Sequence, residues 1–114
     1  MGRIFLCIAA ATIFLSAVTL AFPFCLKADS GDAAKVYKTN CALCHGADGS
    51  GETASGKALN AKDLRSPEVL SKSDAELAEV ISKGTGKMPA FGQKLSADVI
   101  KSLVTYIRAL PKKK

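Results

Sequence analysis

Five consecutive residues, Cys41-Ala42-Leu43-Cys44-His45, constrain this chain more than any other segment. His45 is the only histidine among the 114 residues. On an α-helix, residues three and four positions apart lie on the same face. The motif therefore predicts a helix that presents two thiols and one imidazole side by side, and the fold has to leave that face open to a reactive group.

The spacing C-x-x-C-H is the attachment signature of a c-type haem. Two thiols can add to the two vinyl groups of one porphyrin, while the adjoining imidazole lies under the iron. A dithiol redox site is one alternative, but it needs a lowered thiol pKa in a βαβ setting, and no β-type alternation surrounds Cys41. A structural zinc site is another, but it needs a fourth ligand, and the other cysteines, Cys7 and Cys25, lie in the apolar leader. We interpret the motif as the attachment site of one covalent haem c.

Met88 is the only methionine besides the initiator, so the choice of a second axial ligand is narrow. It lies in the segment 84–92, whose glycines and proline break both helical and strand periods. The sequence predicts a loop that presents the Met88 thioether to the iron, opposite His45. The alternative is a methionine that fills a gap in the core.

Residues 1–28 form an apolar leader behind a short basic start that contains Arg3. This pattern predicts a secretory signal peptide, and its length also allows an uncleaved N-terminal membrane anchor. Lipidation at Cys25 is disfavoured, because Pro23 and Phe24 precede it where small residues are expected. We therefore expect residues 29–114 to form one domain in the periplasm or another exported compartment.

The formal net charge of +6 overstates how basic the domain is. Residues 29–114 hold 14 basic and 10 acidic side chains, and three of the basic ones are the terminal lysines. Such a tail is usually solvated, and no aromatic interleaving or nucleic-acid motif accompanies it, so we expect no nucleic-acid partner. Five lysines are candidates for steering an acidic partner, although a solvated face is the favoured interpretation: Lys57, Lys62, Lys83, Lys87 and Lys94. Arg65 is a candidate partner for a haem propionate.

Helix signals dominate the rest of the chain. Residues 32–44 have helical character, and a capping box at Ser73 opens a second helix that ends at Gly84. Ser96 caps a last amphipathic helix that ends before Pro111, and residues 67–72 are a candidate short helix. The polar stretch 46–62 is expected to be a long loop that wraps the prosthetic group.

Three motifs in this order resemble the short, single-haem class I c-type cytochromes of bacteria and algae. They are Cys41-x-x-Cys44-His45-Gly46, then Asp48-Gly49-x-Gly51, then the run from Gly86 to Phe91, all before the last helix. The resemblance covers nearly all of residues 31–110. It implies an all-α, cytochrome c-like fold of three to five helices around one haem, which is bound in a crevice between the attachment helix and the methionine loop.

The resemblance also implies that the first and last helices cross. Tyr37 matches the aromatic residue of that crossing, and Leu103 and Tyr106 match its partners. The family has a proline turn whose carbonyl usually accepts a hydrogen bond from the haem-binding histidine. No proline lies between Gly46 and Leu59, so the partner of the His45 Nδ1–H group stays open.

A His45/Met88 pair fills both axial positions of the iron, and methionine favours the ferrous state. Because no position is left for dioxygen, we expect electron transport and not enzyme catalysis. The predicted function is that of a monomeric carrier of single electrons between redox protein partners, as in a respiratory chain. One alternative is a membrane-anchored electron-entry subunit of a respiratory oxidase or reductase complex. A weaker alternative is a haem enzyme or sensor, in which Met88 would dissociate readily.

Overall fold

The computed structural model describes residues 30–112, so the predicted leader, with Cys7 and Cys25, and the last two lysines lie outside the described residues. Six helical segments follow one another in this range: α1 (Ser30–Asn40), α2 (Ala42–His45), α3 (Ala54–Leu59), α4 (Pro67–Leu70), α5 (Asp74–Lys83) and α6 (Ala97–Arg108). Two of the six are four-residue turns, which leaves four longer helices. Between residues 30 and 112 the only β-type pairing is an isolated bridge between Thr85 and Met88. The predicted all-α fold is confirmed.

Helices α1 and α6 pack against each other and form the centre of the molecule. Tyr37 and Leu103 are each only 1 % exposed, and the ring centroids of Tyr37 and Tyr106 lie 5.0 Å apart at an interplanar angle of 46°. This tilted geometry is one that aromatic pairs favour. The predicted crossing of the first and last helices, with these partners, is confirmed.

Helix α5 packs against α6, and its apolar stripe completes the core. Leu77 and Ile81 are buried on α5, while Phe91 is buried just beyond the methionine segment. Each such side chain contributes roughly 1.5–3 kcal/mol by leaving water. The core therefore anchors both ends of the segment that carries Met88.

The predicted helix starts are confirmed by their caps. Ser73 and Glu76 form both hydrogen bonds of a capping box at α5, and the Ser96 hydroxyl accepts a hydrogen bond from Val99 N–H at α6. α5 ends at Lys83 with the expected Gly84 as its C-cap, and the candidate helix at residues 67–72 is shorter, ending at Leu70.

Two local expectations differ from the structure. The predicted helix over residues 32–44 begins at Ser30 and is interrupted at Cys41, which separates α1 from α2. The stretch 46–62, expected to be a loop, contains α3, whose Gly56 and Ser55 have weak intrinsic helix propensity. α3 forms because Thr53 caps it and because it packs against α2.

Candidate functional site

His45 is the last residue of α2, and its ring is held by the main chain of a distant segment. Its Nδ1 atom lies 2.9 Å from the carbonyl oxygen of Lys62. A carbonyl can only accept a hydrogen bond, so Nδ1 carries the proton and donates it. In the neutral imidazole with its proton on Nδ1, the free lone pair is on Nε2. A metal ion binds to such an unprotonated ring nitrogen. The partner that the sequence left open is therefore the main chain of Lys62.

Neighbouring hydrogen bonds fix the position of this carbonyl. Ala61 N–H donates to Gly56 O and Leu64 N–H donates to Gly49 O, each over 2.8 Å. Gly51 has a φ of +75°, and a Cβ atom there would lie 2.7 Å from Ala61 O. Only glycine tolerates both the positive φ and the close approach. The motif Asp48-Gly49-x-Gly51 therefore lets residues 61–64 lie against the end of α2.

Cys41 and Cys44 are free thiols, the first at the N-cap of α2 and the second within it, and both are partly buried. Burial raises the pKa of the Cys41 thiol to about 11. A dithiol redox site requires the opposite change, a lowered pKa that yields a thiolate at neutral pH. Between residues 30 and 112, no three His, Cys, Asp or Glu side chains gather as a zinc site would require. In the described part of the chain, the raised thiol pKa does not favour a dithiol site, and the grouping of side chains does not favour a zinc site.

Met88 closes a tight turn that is tied to the end of α5. Thr85 and Met88 exchange two backbone hydrogen bonds of 2.8 and 3.2 Å. Downstream, Phe91 N–H donates to Ile81 O over 3.0 Å and Gly92 N–H donates to Ser82 O over 2.9 Å. The Met88 side chain is partly buried and packs against the core. The predicted irregular loop is confirmed, and its own hydrogen bonds fix its shape.

The donor set fits a c-type haem. α2 packs against α1 and α3, whereas the methionine turn follows α5, which packs against α6. The imidazole and the thioether are thus carried by different parts of the fold, joined through the α1–α6 pair. One imidazole nitrogen, one thioether and two thiols are the groups that such a haem uses in proteins. The structure supports, as a proposal, Cys41 and Cys44 for attachment and His45 and Met88 for the iron.

The charged residues considered in the sequence are largely paired. Arg65 donates from Nε and Nη2 to the Asp63 carboxylate, at 3.0 and 3.2 Å, and from Nη1 to Asp48 at 3.4 Å. This pairing raises the pKa of Arg65, chiefly through the hydrogen bonds to Asp63. Its predicted role at a propionate stays a prediction. Three of the five candidate steering lysines lie within 3.0 Å of a glutamate: Lys57 at Glu52, Lys62 at Glu68 and Lys83 at Glu79.

Comparison with known proteins agrees with this geometry. The family model described as "Cytochrome C oxidase, cbb3-type, subunit III" matches residues 28–107. Cytochrome c6 of Gloeothece citriformis (strain PCC 7424) is 36 % identical over 80 residues, which cover 69 % of either chain. The chain belongs to the class I c-type cytochromes. Such a cytochrome carries covalently bound haem c and acts in electron transport with redox partners.

This cytochrome is also similar to part of an oxidase subunit and to a c-type cytochrome of known structure. The cbb3-type cytochrome c oxidase subunit CcoP of Azospirillum sp. (strain B510) is 39 % identical over 89 residues, but these are only 30 % of that protein. The solved structure titled KustC0563 c-type cytochrome is 35 % identical and superposes with a TM-score of 0.64, covering 71 % of this cytochrome and 98 % of that chain. Among the described helices, none is long and apolar enough to cross a membrane.

Proposed function

We propose that this cytochrome is a single-electron carrier in the periplasm or another exported compartment. Cys41 and Cys44 would hold the haem covalently, and His45 and Met88 would ligate its iron. The observation that carries the proposal is the hydrogen bond from His45 Nδ1–H to the Lys62 carbonyl. It directs Nε2 of the chain's only imidazole towards metal ligation, within the attachment motif itself.

When bound, the haem supplies an iron that alternates between the ferric and ferrous states. The chain's contribution is to hold the two proposed ligands in fixed positions while the charge of the iron changes. Nδ1–H of His45 stays hydrogen-bonded to the Lys62 carbonyl. The segment that follows Met88 stays hydrogen-bonded to the carbonyls of Ile81 and Ser82 in α5. Because the thioether is neutral and favours ferrous iron, Met88 as a ligand would raise the reduction potential relative to a second histidine.

We propose a carrier and not an enzyme, because two protein ligands leave no open position for a substrate. The structural support is the way in which the Met88 turn is fixed at both ends by backbone hydrogen bonds. A haem enzyme or sensor would need this ligand to leave readily. Binding of carbon monoxide by the reduced protein at neutral pH would contradict the carrier proposal.

The first test is production of the full chain in a host that has a cytochrome c maturation system. We expect a red protein whose haem stays attached in a denaturing gel, with the low-spin spectrum of a six-coordinate iron in both redox states. A His45→Ala variant removes the proposed proximal ligand and should not give this spectrum. A colourless full-length protein would contradict the proposed function.

A second candidate function is that of an electron-entry subunit in a membrane oxidase complex. The match to the family model of oxidase subunit III and the CcoP relative favour it. N-terminal sequencing of the haem-stained protein, together with salt washing of membranes, separates the two candidates. A cleaved leader and a salt-soluble protein support the diffusible carrier. A protein that keeps residues 1–28 and stays in the membrane after the wash supports the subunit.

A further inference from the structure

The single turn of α2 ends in carbonyl groups that have no helical partner of their own. The last helical bond runs from Gly46 N–H to Ala42 O, which leaves the carbonyls of Leu43, Cys44 and His45. Gly51 N–H donates to His45 O over 2.7 Å. The Thr53 hydroxyl lies 2.7 Å from Leu43 O and 3.0 Å from Cys44 O, so its one proton is shared between the two. A residue outside the attachment motif thus completes the end of this turn.

The direction of the Thr53 hydroxyl is itself fixed. Its oxygen accepts a hydrogen bond from Gly56 N–H over 2.8 Å as the N-cap of α3, so its proton points towards α2. The backbone of α3 also approaches the carbonyl oxygen of Cys44. A Cβ atom on the buried Gly56 would collide with Cys44 O. Two separate contacts of α3, one polar and one steric, therefore converge on the Cys44 carbonyl.

This carbonyl belongs to the peptide unit that joins Cys44 to His45. Because a peptide unit is planar, fixing its oxygen also fixes the direction of the His45 N–Cα bond. The other end of His45 is held by the bond from Nδ1–H to Lys62 O. The residue is thus restrained at its backbone by α3 and at its ring by residues 61–64.

We propose that Thr53 is a positioning residue for His45, acting through the Cys44–His45 peptide. The inference rests on the proposed role of His45 as haem ligand and adds a residue that the attachment motif does not contain. Its hydroxyl is needed as a donor to α2, beyond its role as a helix cap. Loss of the hydroxyl would leave two carbonyls without a donor and would loosen the turn that carries the ligand.

The test compares three variants of the full haem-loaded protein. Thr53→Val removes the hydroxyl and keeps the side-chain shape, while Thr53→Ser keeps the hydroxyl. Ser96→Ala is the matched control, because it removes the same kind of cap from α6 without touching α2. The readouts are the hyperfine-shifted haem methyl proton resonances of the ferric protein, the reduction potential, and amide exchange of His45 and Gly46 in the ferrous protein.

We expect Thr53→Val to change the pattern of haem methyl shifts, to move the potential, and to speed exchange of the two amides about fivefold to tenfold, as expected for one lost hydrogen bond. Thr53→Ser should restore the wild-type values, and Ser96→Ala should leave the haem methyl shifts and the potential unchanged. Failure of Thr53→Val alone to mature would also support the proposal.

Three results would overturn it: wild-type readouts in Thr53→Val, equal changes in Thr53→Ser, or equal changes in Ser96→Ala. A wild-type protein without haem would instead contradict the proposed function itself. The two failures are therefore distinguishable by the colour of the unmodified protein.

Discussion

Main-chain hydrogen bonds around Met88, the proposed second ligand, fix the turn that carries it. Its turn is closed by the hydrogen bonds with Thr85 and tied to α5 through Phe91 and Gly92. The side chain packs against the core, and in its proposed role it would also reach the iron. We therefore expect a substitution here to alter the haem and leave the fold of the turn intact.

Met88→Ala should open the sixth position of the iron. We expect loss of the low-spin spectrum, a lower reduction potential and binding of carbon monoxide by the reduced protein, because the thioether that favours ferrous iron is gone. Absorption spectra and a potentiometric titration measure these changes. Lys87→Ala, one residue away, is the control and should keep the wild-type spectrum. A low-spin Met88→Ala variant with an unchanged potential would show that another group is the ligand.

The site residues differ in how far the sequence could predict them. The sequence alone could propose four site residues, because their side-chain chemistry is rare in this chain: Cys41, Cys44, His45 and Met88. The Lys62 carbonyl could not be proposed in this way, because every residue has a carbonyl and only the fold brings this one to within 2.9 Å of His45. A main-chain acceptor leaves no signal in the amino-acid sequence.

Among the helices, α6 is linked to the start of α5 by one side chain. The Arg108 guanidinium donates to the Asp74 carboxylate over 2.6 Å, and to the carbonyls of Leu70 and Lys72 over 3.2 and 2.6 Å. These bonds join the end of α6 to the connection between α4 and α5. Arg108 therefore supplies donors to carbonyls that the short helix α4 cannot satisfy alone.

Arg108→Gln should lower the free energy of unfolding by about 1–2 kcal/mol, because two main-chain carbonyls lose a charged donor. Denaturant titration followed by circular dichroism measures the change. Lys101→Gln, on an exposed position of the same helix, is the control and should change stability by less than about 0.5 kcal/mol. Equal midpoints for the Arg108 variant and the wild type would mean that the three contacts contribute nothing net.

The capping box of α5 makes stability depend on acidity. The Glu76 carboxylate accepts a hydrogen bond from Ser73 N–H over 2.7 Å, and this bond lowers the pKa of Glu76. A group whose pKa is lower in the folded state stabilises the fold above its unfolded pKa, and this contribution is lost as the pH falls through the folded value. Stability should therefore decline on acidification.

Glu76→Gln keeps an acceptor oxygen at the cap but does not titrate. Between neutral pH and about pH 3, the variant should lose less of its denaturation midpoint than the wild type does. Urea titrations at several pH values measure the difference. The prediction fails when both proteins show the same loss over this range.

Helix α3 is the secondary-structure element that the sequence alone could not predict. The helices with regular apolar stripes and capping serines, α5 and α6, could be predicted from the sequence alone. α3 could not, because its six residues hold one large apolar side chain, Leu59, which is 42 % exposed. It is stabilised by the Thr53 cap and by contact with α2, which are tertiary effects. Short helices of this kind depend on packing more than on propensity.

For the molecule as a whole, paired charges weaken the field that a partner experiences. Lys57, Lys62 and Lys83 each lie beside a glutamate in an exposed pair. Such pairs contribute little to stability, and at a distance their opposite charges cancel. From the sequence, these lysines were candidates for a basic face that steers an acidic partner. In the structure, the neighbouring glutamates make the surface at these three positions more neutral.

Electron exchange with small anionic and cationic inorganic redox reagents should therefore depend weakly on salt. Between about 0.01 and 0.5 M salt, we expect rate constants to change less than about tenfold, because little charge is left to screen. Stopped-flow measurement provides the test. Glu52→Gln frees the charge of Lys57 and should steepen the dependence on salt for the anionic reagent. A steep dependence of the wild-type rate constants on salt concentration would support a basic steering face instead.

The buried Tyr37 hydroxyl donates to Gly46 O over 2.7 Å, and thus ties the α1–α6 crossing to the residue directly after His45. Burial, foremost, raises the pKa of Tyr37 above its usual range, so the phenol keeps its proton in alkaline solution. The central aromatic residue of the core is in this way hydrogen-bonded to the neighbour of the proposed ligand. The absorption spectrum of the attached haem and the helix content should consequently change together when the chain unfolds, which makes that spectrum a measure of the integrity of the whole domain.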